Sequence, residues 1–161
     1  MQSRFRFYAY MPAFLVFFIT GFLVLTIYLI SDSPTVSFPA LLAIFSIWTF
    51  ILVWVAYGEL RTKAIRVDIG EYEIIVSRYL GLGSNKVHYF SSFDGYETAI
   101  LPSRYSSYEF LYLVANGKRV IKLSEYYHKN YTEMKKVLSE KLPDLGHKPF
   151  NFFQELKEIF V

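Results

Sequence analysis

The chain has no cysteine among its 161 residues, which excludes disulfides, thiolate metal sites and thiol nucleophiles and is compatible with a reducing compartment. Charge is scarce too: between Phe7 and Gly58 the only charged residue is Asp32. That carboxylate leaves two uncharged runs, Phe7 to Ser31 and Ser33 to Gly58. Each has about 25 residues, enough to cross a hydrocarbon core of roughly 30 Å as a helix. A polar stripe is also lacking. Phe14, Leu15, Val16, Phe17, Phe18 and Ile19 cover the whole helical circumference, as do Ile47, Trp48, Phe50, Ile51, Leu52 and Val53, whereas helices on the rim of a soluble domain keep a polar face. A cleaved signal peptide fits poorly, because its apolar region spans about 7 to 15 residues and here a second apolar run follows at once. The expectation is an integral membrane protein with a transmembrane helical hairpin in residues 1–60, its helices at about 8–31 and 38–58.

The short connection around Ser31, Asp32, Ser33 and Pro34 has no Lys or Arg, while Arg4 and Arg6 precede the first helix and Arg61, Lys63 and Arg66 follow the second. This distribution predicts both termini in the cytoplasm. Tyr8, Tyr10, Trp54 and Tyr57 stand at the helix ends, where amphipathic rings suit the headgroup level. Pro34 and Pro39 bracket the turn.

Beyond Gly58, 15 Lys and Arg stand against 13 Asp and Glu, an ordinary soluble surface. Without a concentrated basic face or a reader motif, a nucleic-acid partner is set aside. About a hundred residues suit one domain with its own core, expected to fold from about Arg61 onward without the anchor. It reads as strands and then a helix. Ile65, Val67 and Ile69 alternate with Arg66 and Asp68; Tyr72, Ile74 and Val76 alternate with Glu73 and Ser77. Gly70-Glu71 between them fits a type II′ turn. After a loop at Gly81 to Asn85, strand-like segments recur around Val87 to Phe90 and Tyr96 to Leu101. Tyr108 to Ala115, Asn116-Gly117 and Lys118 to Leu123 form the clearest hairpin, with the preferred type I′ pair at its tip. From Asn130 the period becomes helical: Tyr131, Met134, Leu138 and Leu142 share one face, Asn130 with Glu133 resembles a capping box, and Pro143 limits the end. A second amphipathic helix is expected within residues 146–161, starting after Asn151, with Phe152, Phe153, Leu156, Ile159 and Phe160 as its apolar set.

In this order of elements the tail, from about Ala64 to Leu142, resembles a pleckstrin-homology-like domain of the kind found in bacterial membrane proteins with a two-helix N-terminal anchor. Tyr108 to Lys122 with its Asn116-Gly117 turn, and Asn130 to Leu142, carry most of the resemblance. It implies an α+β membrane protein in which residues 61–145 form a cytoplasmic PH-like β-barrel or sandwich closed by a C-terminal amphipathic helix. A lipocalin-like or other small barrel is the alternative. It also places the chain in the bacterial inner (cell) membrane. Phosphoinositide-binding members of that superfamily hold lipid phosphates with basic residues in the first hairpin loop. Here the loop is Gly70-Glu71, too short to wrap a headgroup and acidic enough to repel one, so no specific phosphoinositide binding is expected, although Arg66 and Arg78 loosely match basic positions on the flanking strands.

Catalytic signals are weak. Gly81, Gly83 and Lys86 do not match a nucleotide fingerprint, and His88, His128 and His147 lack metal-ligand spacing. An acid-base cluster of His88, Asp94 and Glu97 is conceivable across strands, but no nucleophile elbow accompanies it. No cofactor, metal site or enzymatic activity is expected. Arg61, Lys63 and Arg66 are candidate contacts to an anionic membrane surface, and Arg104, Tyr105, Tyr108 and Tyr112 a candidate surface for a protein partner, although tyrosines serve strands and cores equally well. The expected function is a membrane-anchored interaction or scaffold module; a lipid-handling subunit of a membrane complex is the alternative, and a membrane-bound enzyme a distant one.

Overall fold

The computed structural model describes residues 1–32, 37–101 and 107–151. It is an α+β chain of two long apolar helices and two β-sheets. Helix α1 runs Met11–Asp32 after a 3-10 turn at Phe7–Tyr10, and α2 runs Phe38–Val53 before a π-helical turn at Trp54–Leu60. Continuous helix therefore covers Phe7–Ile30 and Phe38–Leu60, long and apolar enough to cross a membrane by length and composition, with 6% of each window buried. The hydroxyls of Thr20, Thr26 and Ser46 donate to the carbonyls of Val16, Phe22 and Leu42, four residues earlier, at 2.8, 2.7 and 2.7 Å, so these polar groups are satisfied within their own helices. Phe22 stacks on Trp48 at 5.8 Å to hold the two helices together.

The first sheet has the order β1-β2-β3 (Arg66–Ile69, Glu73–Ser77, Asn85–Tyr89), all antiparallel. The second has the order β6-β5-β4-β7, with β4 Gly95–Leu101, β5 Tyr108–Ala115, β6 Lys118–Ser124 and β7 Asp144–His147. Helix α3, Tyr131–Lys141, follows β6. One core joins both sheets to α3: Val67, Ile74, Leu111, Leu113, Leu123, Met134 and Leu138 are all fully buried. The sheets pack as separate layers and do not close into the barrel expected as one form of the domain.

The tip of the clearest hairpin is as read from sequence. Asn116 and Gly117 both have positive φ, 53° and 69°, the signature of a type I′ pair between Ala115 and Lys118. The first hairpin differs. Ile69 pairs with Ile74 and the Gly70 N–H donates to the Glu73 carbonyl at 2.8 Å, so the turn sits on Glu71-Tyr72, one residue later than expected, and Gly70 has no positive φ. Burial explains the shift: this register keeps Ile74 inside and leaves Tyr72 73% exposed. Strand β7, running parallel to β4, is an addition to the expected elements and crosses the expected border at 145/146 between the domain and the terminal segment. It approaches β4 so closely that a Cβ at Gly95 would lie 2.5 Å from the Pro143 carbonyl oxygen. The expected helix after Asn151 lies outside the described residues.

The largest departure concerns residues 1–6. They form no part of the helical hairpin but run extended along the domain, bridging the free edge of β1 and the segment after β6. Ser3 N–H donates to the Val67 carbonyl at 2.7 Å, Ile69 N–H to the Met1 carbonyl at 2.7 Å, and Val67 N–H to Ser3 Oγ at 2.9 Å. Further along, Lys129 N–H donates to the Arg4 carbonyl at 2.7 Å and Arg6 N–H to the Tyr127 carbonyl at 2.8 Å. The capping box at Asn130 is not formed. Its side chain is taken by this clasp, Oδ1 accepting from Arg4 N–H at 2.7 Å and Nδ2 donating to the Gln2 carbonyl at 3.0 Å.

Candidate functional site

The densest convergence of polar and aromatic groups lies where the two helices join the domain. The π-helical turn, with Arg61 N–H bonded to the Ala56 carbonyl and Ala64 N–H to that of Glu59, carries one more residue per bond than an α-helix would. Such turns are frequent at functional sites, and this one holds Glu59 against the domain. Glu59 Oε2 accepts from Tyr127 Oη at 2.6 Å and Oε1 from Lys63 Nζ at 2.5 Å. Burial, reinforced by the Glu59 charge, pushes the Tyr127 phenol above its ordinary pKa, so it stays a donor to that carboxylate.

Beside this pair Tyr126 is the hub of a tyrosine cluster. It stacks on Tyr8 at 5.1 Å and meets Tyr108 and Tyr127 edge-on at 4.9 and 5.1 Å. Between Tyr8, Met11, Leu15 and Phe18 on one side and Val55, Tyr126 and Tyr127 on the other lies an open groove of about 480 Å³, with Glu59 its one charged lining residue. Such a groove admits an apolar chain and offers a single carboxylate to a donor group. His128 follows in sequence. It is fully buried, its Nε2 2.9 Å from the Ile65 carbonyl and its Nδ1 3.0 Å from that of Ser124, with the Phe5 ring at 5.6 Å. Burial holds its pKa below the ordinary histidine value even though both carbonyls favour the charged ring.

The expected site residues separate. Lys63 is committed to Glu59, Arg61 lies 5.8 Å from the Tyr57 ring, and Arg66 is exposed on β1. Tyr108 joins the tyrosine cluster. Tyr112 is fully buried, with the Arg119 guanidinium 4.0 Å above its ring, and is therefore no part of an exposed partner surface. Arg104 and Tyr105 lie outside the described residues. The acid-base cluster is not assembled: Asp94 accepts from Gly117 N–H at 2.8 Å, Glu97 pairs with Arg119, and His88 packs on Phe93. His147 Nδ1 meets Thr98 Oγ1, at 3.3 Å, across the β4–β7 pair. Among the described residues no group of three or more His, Asp or Glu is placed to hold a metal. Sequence reading missed Glu59, the only carboxylate near the end of the second apolar run; its isolation there was the available signal. Comparison with protein-family models, curated proteins and solved structures finds no match for this chain.

Proposed function

We propose that the chain is a membrane-anchored interaction module, its helical hairpin spanning a bacterial cell membrane and its PH-like sheet-and-helix domain holding a protein or membrane surface close to the bilayer on the cytoplasmic side. The observation that carries this reading is the pair of helices, Phe7–Ile30 and Phe38–Leu60, each with an 18-residue apolar stretch in which only 6% is buried. A core helix of a soluble protein would be mostly covered, whereas here Phe17 is 73% and Phe50 67% exposed. Geometry supports a hairpin with both ends on one side, independently of the flanking charges. Residues 1–3 pair with 67–69, so the chain leaves the domain and returns to it at adjoining points, as a two-span hairpin requires. The extended order of hairpins followed by α3, over one shared core, supports the PH-like assignment.

Topology reporters fused after Val161 and inserted near Ser33 test it. The expected result is a cytoplasmic signal from the first and a signal from the opposite side from the second; an external signal from the C-terminal fusion would overturn the orientation. A second reading, a lipid-handling subunit, is favoured by the apolar groove beside Glu59. It predicts that Leu15→Trp, which fills the groove, reduces co-purifying lipid while the reporters stay unchanged.

A further inference from the structure

At the foot of the second helix the turn between β2 and β3 is built unlike the other turns among the described residues. Tyr79, Leu80 and Gly81 have consecutive positive φ values of 53°, 58° and 91°, a left-handed run that tyrosine and leucine adopt only under constraint. Hydrogen bonds supply it: Leu80 N–H donates to the Ala64 carbonyl at 2.7 Å, and Gly81 and Gly83 N–H both donate to the Arg78 carbonyl, at 3.1 and 2.9 Å. The product of this arrangement is Leu82, 89% exposed. A leucine held out by a constrained turn, five residues past the last strand residue of β2 and tied to the chain just after the π-helical turn, costs apolar exposure that water does not repay.

Arg66 and Arg78 border this turn, and Arg61 lies near Arg78. Arg66 lies across the turn, its Nε 2.8 Å from where a Cβ on Gly81 would be, and it is paired in register with Ser77, the residue before Arg78. Partial burial and the neighbouring Arg61 charge together hold the Arg78 guanidinium below its ordinary pKa, which places Arg61 within repulsive reach. The nearby carboxylates are engaged elsewhere: Glu59 by Lys63 and Tyr127, and Asp68 by the Met1 ammonium at 3.4 Å. Among the described residues none of the three arginines has an acidic partner. Guanidiniums gathered at one turn without acidic partners favour an anion, and planar donors suit phosphate oxygens.

We propose that Arg61, Arg66 and Arg78 form a site for the phosphate of an anionic phospholipid, with Leu82 inserted among the adjoining acyl chains. The site rests on the membrane-anchored reading. It differs from the phosphoinositide pattern in lying at the opposite end of the first two strands from their connecting turn. A free phosphate would satisfy the arginines equally, but only a lipid also accounts for Leu82.

The absence of cysteine permits a single label at Ser84→Cys, an exposed position two residues beyond Leu82. The full chain carrying an environment-sensitive dye there is reconstituted into phosphatidylcholine vesicles with rising fractions of phosphatidylglycerol, and insertion is checked separately by resistance to alkaline carbonate. A blue shift that grows with phosphatidylglycerol is expected, with its midpoint raised about fivefold by each of Arg61→Gln, Arg66→Gln and Arg78→Gln. Leu82→Asp should abolish it. Arg66 is exposed, so Arg66→Gln keeps the test valid even where another variant misfolds. A carbonate-resistant chain with no shift, or with a shift indifferent to lipid charge and to the arginines, would overturn the site and leave the anchor standing. The same shift produced by inorganic phosphate in pure phosphatidylcholine would overturn the lipid assignment, and carbonate extraction of the chain would overturn both readings.

Discussion

Replacing Asn130 with alanine separates two roles that sequence alone confuses. As a helix cap, Asn130 would be exchangeable for serine or aspartate at little cost, since all three cap about equally well. As the clasp of residues 1–6 it is not. Its amide accepts from Arg4 N–H and donates to the Gln2 carbonyl, two bonds that only a side chain with both a donor and an acceptor at that reach can make. At a net contribution of about 0.5 to 1.5 kcal/mol each, Asn130→Ala should cost about 1 to 3 kcal/mol. For a folded part of roughly 100 residues, each kcal/mol is worth about 4 °C or more of melting temperature. Serine and aspartate should recover little of that loss, because the single, shorter serine hydroxyl lacks the two separate atoms with which the amide reaches Arg4 and Gln2, and aspartate has no donor. Thermal melting of the full chain in detergent, followed by circular dichroism, measures the effect. A chain that begins at Arg6 completes a double-mutant cycle, because there Asn130 has already lost both partners and its replacement should change almost nothing. An equal loss in the long and shortened chains, or full rescue by serine, would refute the clasp and restore the capping role.

The remaining predictions concern the second sheet and the buried histidine. Gly95→Ala should destabilise the domain by about 1 to 3 kcal/mol, because the new methyl group meets the Pro143 carbonyl at 2.5 Å and neither backbone can move without parting β4 from β7; chemical denaturation of the same detergent sample tests this. The fold keeps His128 neutral, its pKa held below the unfolded value by burial. Its contribution is therefore fully present above about pH 6.5 and is lost as pH falls from there toward the folded pKa, since only the unfolded chain takes up the proton. Melting temperature should fall between about pH 6.5 and 5, and the slope should shrink in His128→Gln; a slope unchanged by that substitution would assign it to other groups, His88 first, whose pKa burial also lowers.

Legibility in the sequence followed the range of the interactions. The two apolar runs, the Asn116-Gly117 hairpin and α3 were readable because each is specified by residues close together in the chain. The turn at Glu71-Tyr72 was misplaced by one residue because periodicity fixes which residues alternate but not which pair closes the hairpin. Strand β7 was invisible because its four residues are all exposed and carry no alternation. The site was harder still. Tyr112 and Tyr108 have the same composition signal, yet one is sealed inside and the other meets Tyr126, which stacks in turn on Tyr8 from more than a hundred residues away in sequence.

The clasp also changes what counts as the domain. A piece starting at Arg61 lacks residues 1–6 and with them eight hydrogen bonds to Val67, Ile69, Tyr127, Lys129 and Asn130. Phe5, packed on His128 at 5.6 Å, goes with them. The helices are thus inserted into the fold between its first extended segment and β1, and the tail expected to fold by itself is incomplete. Joining residues 1–6 to Ala64 through a flexible linker of about eight Gly and Ser residues should repair it, because the two ends already lie side by side and such a linker spans about 15 Å on average. The linked fragment should melt cooperatively with mixed sheet and helix dichroism, well above the fragment that starts at Arg61. Equal melting of the two fragments would mean that residues 1–6 rest on the domain without stabilising it and that Asn130 does not clasp them.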